Sequence, residues 1–239
     1  MRSNLFVAVL VLLASSASAA TLTEDFDQAG GFFGATGIGN ASVPVVAGWS
    51  VKNNSTPGGT TSWHSNNGSS PFAAHSGSGY AAVEASSTAG SNTISNWLVT
   101  PQISFNAGDQ ISFWTRAASP VDFADRLQVY VSTAGASTNV GTTETSLGDF
   151  TTLVKDINPN LLVSGTNSYP TTWTQFTVTI PGTGSGRVGF RYFVTNGGPT
   201  GENGNFIGID SLNIVAVPEP ATIGLIGAIA VGLISRRRR

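Results

Sequence analysis

The amino-acid sequence predicts an all-β protein, a single jelly-roll-like antiparallel β-sandwich flanked by an N-terminal signal peptide and a short C-terminal hydrophobic helix. Between residues 21 and 217, no stretch of ten or more residues shows the apolar period of a helix. Short runs rich in β-branched and aromatic residues recur there instead, separated by Gly, Pro, Asn and Ser. The 239-residue chain is 40% hydrophobic, which is enough for a core, and strands without helices favour a sandwich.

Residues 1–20 have the pattern of a secretory signal peptide. Arg2 supplies the positive start, residues 5–14 form an apolar run too short to span a bilayer, and residues 17–19 read Ala-Ser-Ala, a small-x-small cleavage pattern. The alternative is an uncleaved anchor, which is disfavoured because no stop-transfer pattern follows. We therefore expect the exported chain to begin near residue 20 or 21.

Residues 21–216 form one predicted domain of nine strands. In the segment 110–116, Ile111 and Phe113 share one face while Trp114 lies on the other, the alternation of a half-buried strand. Long Gly-, Ser-, Thr- and Asn-rich loops cover 28–39, 53–71, 134–148 and 156–170. The predicted strands are 21–27, 45–52, 80–84, 93–100, 110–116, 126–132, 172–180, 187–195 and 206–215.

The charge and the cysteine content exclude several classes of function. Residues 21–217 contain six basic and twelve acidic side chains, a net charge of about −6, which repels phosphate backbones and argues against a nucleic-acid partner. The chain has no cysteine, so it has no disulfide, Cys-ligated zinc or Cys nucleophile.

The C-terminus combines three features in order. Val217, Pro218, Glu219 and Pro220 come first, residues 221–234 are apolar or glycine apart from one Thr, and four arginines close the chain. A 14-residue helix is about 21 Å long, which is short of a bilayer core of about 30 Å. The combination resembles the PEP-CTERM sorting signal and covers residues 217–239. The alternative is an ordinary tail anchor with an incidental Pro-Glu-Pro.

The PEP-CTERM resemblance implies a cellular location and a processing partner. It implies a Gram-negative bacterium with an exopolysaccharide or biofilm lifestyle, in which an integral-membrane exosortase recognises Pro218, Glu219 and Pro220 and processes the tail. The helix would hold the chain in the inner membrane before processing, with its arginines on the cytoplasmic side. After processing, the protein would reside at the cell surface or in the extracellular matrix.

The predicted body resembles the choice-of-anchor J domain, which is related to the cleaved-adhesin and MAM-like sandwiches. The most specific segment is 95–101, Ser-Asn-Trp-Leu-Val-Thr-Pro. Residues 53–71 and 134–170 match nothing in the pattern. Further matching segments follow in order: Glu24–Asp27, Gly48-Trp49, 111–114, 127–133, Trp173, 189–192 and 209–214.

Glu24 and Asp210 are candidate ligands for a structural Ca²⁺. Each acid lies on the apolar face of its predicted strand, and a buried carboxylate needs a cation or a metal. First and last strands are often neighbours in such sandwiches, so the two acids could share a calcium ion, as the resembling adhesin-type domains often do. The weaker candidates are Asp25, Asp27 and Asn205. The alternative is pairing with Arg187 or Arg191, or a place at a strand end in water.

Trp63 is the candidate ligand-binding residue, because exposed aromatic rings stack on sugars and Trp63 lies in an otherwise polar loop. Trp97 and Trp114 lie in predicted strands, where core packing is the favoured role.

The sequence favours a protein that is not an enzyme. Asp122 and Asp125 could suggest acid–base chemistry, but a solvated loop with a local ion pair is the favoured explanation. His64 and His75 lie in or near a polar loop, and no nucleophile motif accompanies them.

We therefore expect an exported, non-enzymatic surface or matrix protein that binds an extracellular polysaccharide or another matrix component. The alternatives are a structural matrix protein without a specific ligand and, less favoured, a secreted polysaccharide or ester hydrolase.

Overall fold

Two antiparallel sheets pack face to face, which confirms the predicted all-β sandwich. The computed structural model describes residues 20–34 and 44–217, of which Ala20–Ala216 form one unit. Almost all of the predicted signal peptide, and the sorting signal beyond Val217, lie outside the described residues. Within the described ranges, no helix is long and apolar enough to cross a membrane.

The first sheet has the strand order β10-β7-β12-β4-β3, and β1 pairs with the C-terminal half of β12. The second has the order β2-β5-β11-β8-β9, and β6 pairs with the start of β11. The strands are β1 (Ala20–Glu24), β2 (Ser50–Asn53), β3 (His64–Asn66), β4 (Tyr80–Glu84), β5 (Asn92–Val99), β6 (Ile103–Phe105), β7 (Gln110–Ala117), β8 (Leu127–Ser132), β9 (Thr152–Ile157), β10 (Thr174–Thr179), β11 (Gly184–Gly197) and β12 (Phe206–Val215), with a short 3₁₀ helix at Ala85–Ser87.

All nine predicted strands overlap observed ones, and β3, β6 and β9 are additional. Two of these are three-residue strands, too short to show an alternation. The third, β9, contains Lys155 and Asp156, which break its apolar pattern. The segments 53–71 and 134–170, expected to be loops, therefore contribute one edge strand to each sheet.

The main core lies between the sheets and follows the strand alternation. In β7, Ile111 and Phe113 are buried in it, and in β11, Val188, Phe190 and Tyr192 are buried in it. Burial of these inward faces is the main stabilising term of the fold.

A second, smaller core lies on the outer face of the second sheet, beneath the segment 134–150. Its aromatic members are Trp97, Tyr130 and Phe150. Arg191 holds the segment down by donating to the Glu144 carbonyl oxygen as well as to Ser95 Oγ and Gln128 Oε1. Burial lowers the pKa of Arg191 to about 10.

Candidate functional site

The outer face of the first sheet carries a cluster of six rings, which we call the aromatic platform: Phe72, His75, Tyr80, Trp114, Trp173 and Phe206. Phe72 and Tyr80 are buried and form its base. Trp114, Trp173 and Phe206 are half-buried, and His75 is exposed. The platform therefore presents aromatic surface to solvent on a base that is fixed by packing.

The base of the platform is held by ring contacts and two hydrogen bonds. The Phe72 and Tyr80 rings stack with centroids 5.0 Å apart, and the Trp173 ring meets both edge-on at 5.5 and 5.6 Å. Tyr80 Oη donates to the Phe72 carbonyl oxygen at 3.1 Å, and Trp173 Nε1 donates to the Ala73 carbonyl oxygen at 3.0 Å. Gly208 makes room on β12, since a Cβ there would lie 2.7 Å from Tyr80 Cδ2.

His75 covers Trp114. The two rings stack with centroids 3.9 Å apart and an interplanar angle of 18°. Alternation along β7 places Trp114 on the outer face, while the segment between β3 and β4 crosses this face and brings His75 to it. The stacked pair is the part of the platform that a planar ligand ring could meet.

Asp210 fixes the position of His75. Its Oδ2 accepts hydrogen bonds from the backbone N–H groups of His75 at 2.8 Å and Ser76 at 3.1 Å. Its Oδ1 accepts from the N–H of Ser211, at a bulge of β12 where Ser211 has φ +50°. Burial raises the pKa of Asp210 to about 6, although these hydrogen bonds act in the opposite direction.

Arg116 borders the platform on its other side. Its Cζ lies 4.3 Å from the Phe72 ring centroid, and burial lowers its pKa. Gln175 is exposed and directly opposite Trp114 on β10, where its amide can donate and accept. Partly exposed aromatic rings next to hydrogen-bonding groups are suited to a ring with an apolar face and a polar edge, such as a sugar.

The predicted calcium ligands lie in separate hydrogen-bond networks. Glu24 is buried, and its Oε1 accepts from the Phe26 N–H at 2.9 Å and from Gln28 Nε2 at 2.7 Å. Both oxygens of Asp210 accept from protein donors, which are the backbone N–H groups of His75, Ser76 and Ser211 and the Ser211 Oγ.

Of the weaker candidates, Asp25 and Asp27 are exposed and Asp27 caps the N–H groups of Ser78 and Gly79. Among the described residues, no three His, Cys, Asp or Glu side chains form a group that could hold a metal. Calcium binding by Glu24 and Asp210 stays a prediction. A melting curve with and without excess calcium tests it, and an unchanged Tm would contradict it.

The prediction that Trp63 is an exposed ligand contact is wrong. Its side chain is 0% exposed and belongs to the main core, and its Nε1 donates to the Asn96 carbonyl oxygen at 3.1 Å. The segment before β3 folds against β5, where Ser62 Oγ donates to Asn96 Oδ1, and this contact turns the indole inward. A ring enclosed in this way cannot stack on a sugar.

The remaining candidates have different environments from those expected. Asp122 is exposed, whereas Asp125 is buried and accepts from Tyr192 Oη at 2.5 Å and from the Asn205 N–H at 2.8 Å. The two carboxylates therefore do not face one common site. His64 lies at the border of the platform, with its ring centroid 6.0 Å from that of Phe206. Alternation along β7 was the sequence signal that could have placed Trp114 on the surface.

Comparison with known proteins gives two family matches. The Cleaved Adhesin Domain family matches residues 39–214, and the PEP-CTERM protein-sorting motif matches residues 216–239. No curated protein matches the chain.

Two similar solved structures are cleaved adhesin domains of Lys-gingipain from Porphyromonas gingivalis W83. The K1 domain is 21% identical, with a TM-score of 0.55, and the K3 domain is 22% identical, with a TM-score of 0.52. Each similarity covers 84% of this chain and 100% of the other. At this level of identity, the similarity establishes the fold.

Proposed function

The chain belongs to the cleaved adhesin domain family, and from this we propose that it is an exported surface protein that binds an extracellular polysaccharide through the aromatic platform without catalysing a reaction. The two family matches confirm the resemblances found in the sequence, including the PEP-CTERM motif. The observation that carries the proposal is the surface cluster of Trp173 and of Trp114 stacked under the exposed His75, which lies on a buried aromatic base.

The surroundings of the platform supply the hydrogen-bonding groups that a sugar needs. The outward positions next to Trp114 on β7 and β10 are Ser112, Gln175 and Arg116, and the Arg116 guanidinium lies against the Phe72 ring. The carboxylate of Asp210 is buried and faces the backbone of the 75–76 segment. Sugar rings stack their C–H faces on indoles and bond through their hydroxyls, which is the combination these groups can serve.

The PEP-CTERM motif supports processing of the chain by an exosortase at Pro218, Glu219 and Pro220, with retention in the inner membrane beforehand. We propose the cell surface or an exopolysaccharide matrix as the final location, which is consistent with a glycan ligand. Terminal sequencing of the protein recovered from native culture tests this: a mature chain in the inner membrane that still ends in four arginines would overturn it.

We expect Trp114→Ala and Trp173→Ala each to weaken glycan binding by about 30-fold, because an aromatic anchor at a binding centre contributes about 2 kcal/mol. A glycan array with the full-length protein identifies the ligand, and titration calorimetry measures the affinities. Leu153→Ala is the matched control, since Leu153 is also a large exposed apolar side chain but lies on the second sheet.

Three outcomes would decide the proposal. Loss of binding in both Trp variants, with each variant still folded at the temperature of the binding assay, supports it. Binding that is unchanged in both variants places the ligand elsewhere and overturns the assignment of the platform. No binding by the parent protein to any glycan, at concentrations where it remains folded, favours the alternative of a structural matrix protein without a specific ligand.

A further inference from the structure

Strand β10 (Thr174–Thr179) lies at the edge of the first sheet. It lacks the features that usually keep an edge strand from pairing with another chain. Its sequence, Thr-Gln-Phe-Thr-Val-Thr, has six residues and no charge, and it pairs with β7 on one side without a register shift. Within the described residues, no strand pairs with its other side. A cavity of about 470 Å³ borders part of this edge and is lined by Thr174 and Phe176 on one side and by Lys155, Asp156 and residues of the 157–170 segment on the other. Flat, uncharged edges of this kind are templates for pairing with another strand.

The other edge strands of the two described sheets are protected. Strand β1 contains Glu24 and pairs with β12 through a register shift, and β6 has only three residues. Strand β3 has only three residues, and β2 has four residues that include Lys52. Strand β9 carries Lys155 and Asp156, and its pairing with β8 contains a register shift. Short strands, charged side chains and bulges are the devices that keep edges apart. Among the described sheet ends, β10 lacks all three.

The direction of the backbone groups defines how β10 could pair. The Ile180 N–H donates toward β7, to the Asp109 carbonyl oxygen at 2.7 Å. Because backbone groups alternate along a strand, Gln175, Thr177 and Thr179 direct their N–H and C=O groups to the free side. An antiparallel pair of β10 strands centred on Thr177 would set Thr177 against Thr177 of the second copy, and Gln175 against Thr179.

In this register, the side chains of one β10 strand are compatible with those of the second copy. The outward pairs are Thr–Thr and Gln–Thr, which are neutral and can hydrogen-bond. On the inward side, Phe176 would meet Val178 of the second copy, an aromatic–β-branched pair. Lys155 of β9 places its Nζ 5.1 Å from the Phe176 ring centroid, in a cation–π contact.

We propose that two copies of the chain associate by antiparallel pairing of their β10 strands about Thr177, which joins their first sheets into one continuous sheet. A twofold axis perpendicular to the sheet places both aromatic platforms on the same side. If the proposed glycan function also holds, the dimer presents two binding sites to one polysaccharide chain and gains avidity from their linkage.

The absence of cysteine makes the register directly testable. In the proposed pair, the Cα atoms of the two Thr177 residues lie about 5.5 Å apart, within the range of a disulfide. We expect Thr177→Cys in the full-length protein to form a covalent dimer under mild oxidation with diamide. Gln175→Cys alone should not, because its two copies would lie about 13 Å apart along the strands.

Mixed variants and a control complete the test. A mixture of Gln175→Cys and Thr179→Cys chains should cross-link between unlike chains. Thr145→Cys, at an exposed loop position of the same residue type, should not form a covalent dimer. In light scattering, Thr177→Lys should weaken association about fivefold through the two like charges at the axis.

Cross-linking at 177 with the predicted mixed pair confirms the proposal. Equal cross-linking of all four Cys variants, or a parent protein that stays monomeric at its highest soluble concentration, overturns it. Both results are independent of whether a glycan binds.

Discussion

Replacement of Trp63 by Ala is expected to lower the free energy of unfolding by about 4 kcal/mol, because a fully buried indole is removed from the main core. The variant also loses the hydrogen bond from Trp63 Nε1 to the Asn96 carbonyl oxygen. Urea denaturation measures the change, and a lower midpoint at an unchanged slope would show that stability alone is affected.

Trp173→Ala is the matched control, since the same residue type lies half-buried on the platform. We expect it to reduce stability by only about 1 to 2 kcal/mol while it weakens glycan binding. The opposite pattern would contradict the structure: a Trp63→Ala protein of normal stability that no longer binds glycan would show that this indole contacts the ligand.

The environment of Trp63 shows why burial within a polar segment could not be predicted from the sequence. Its neighbours in the chain are Ser, Thr, Asn and Gly, which are typical of solvent-exposed loops. Its actual partner, Asn96, is 33 residues away on β5. Strand alternation, by contrast, is a local signal, and it predicted the inward positions of β7 correctly.

The same distinction applies to the candidate site. The alternation of β7 places Trp114 opposite the core residues Ile111 and Phe113, so its outward position is readable from the sequence. The position of His75 depends on Asp210, which is 135 residues away and binds its backbone N–H at a bulge. Neither the bulge nor the crossing of the sheet by the segment before β4 has a sequence signal of its own.

The segment 134–150 is a further example. Its sequence is rich in Gly, Ser and Thr and predicts a solvated loop, yet Val140 and Phe150 are buried against Trp97. Arg191 fixes the segment through a backbone carbonyl, an acceptor that every residue possesses. A contact of this kind depends on the fold and not on the identity of the residue, so sequence patterns do not predict it.

The buried carboxyl group of Asp125 is expected to make the free energy of unfolding depend on pH. Its side chain is buried at the end of the core, and its Oδ2 has no hydrogen-bond partner. Burial raises the pKa of Asp125 from 3.8 to about 6, against the opposing effect of the hydrogen bonds from Tyr192 Oη and the Asn205 N–H. Between pH 3.8 and about pH 6, Asp125 therefore keeps its proton in the folded state and has lost it in the unfolded state.

Stability contributed by this proton is therefore present at acidic pH and is lost as the pH rises through about 6. The difference between 3.8 and about 6 corresponds to about 3 kcal/mol at neutral pH. We expect Asp125→Asn, which keeps the acceptor for Tyr192 and cannot titrate, to remove this part of the dependence. The variant should then be more stable than the parent at pH 7.5 and similar to it near pH 4.

Melting curves between pH 4 and pH 8 test the assignment. Asp122→Asn is the matched control, because Asp122 is exposed three residues earlier, and its pH profile should follow that of the parent. Part of the dependence of Tm on pH should remain in the Asp125→Asn variant, since burial also raises the pKa of Asp210 to about 6. An Asp125→Asn profile parallel to that of the parent would contradict the prediction, because the buried carboxyl would then titrate alike in the folded and unfolded states.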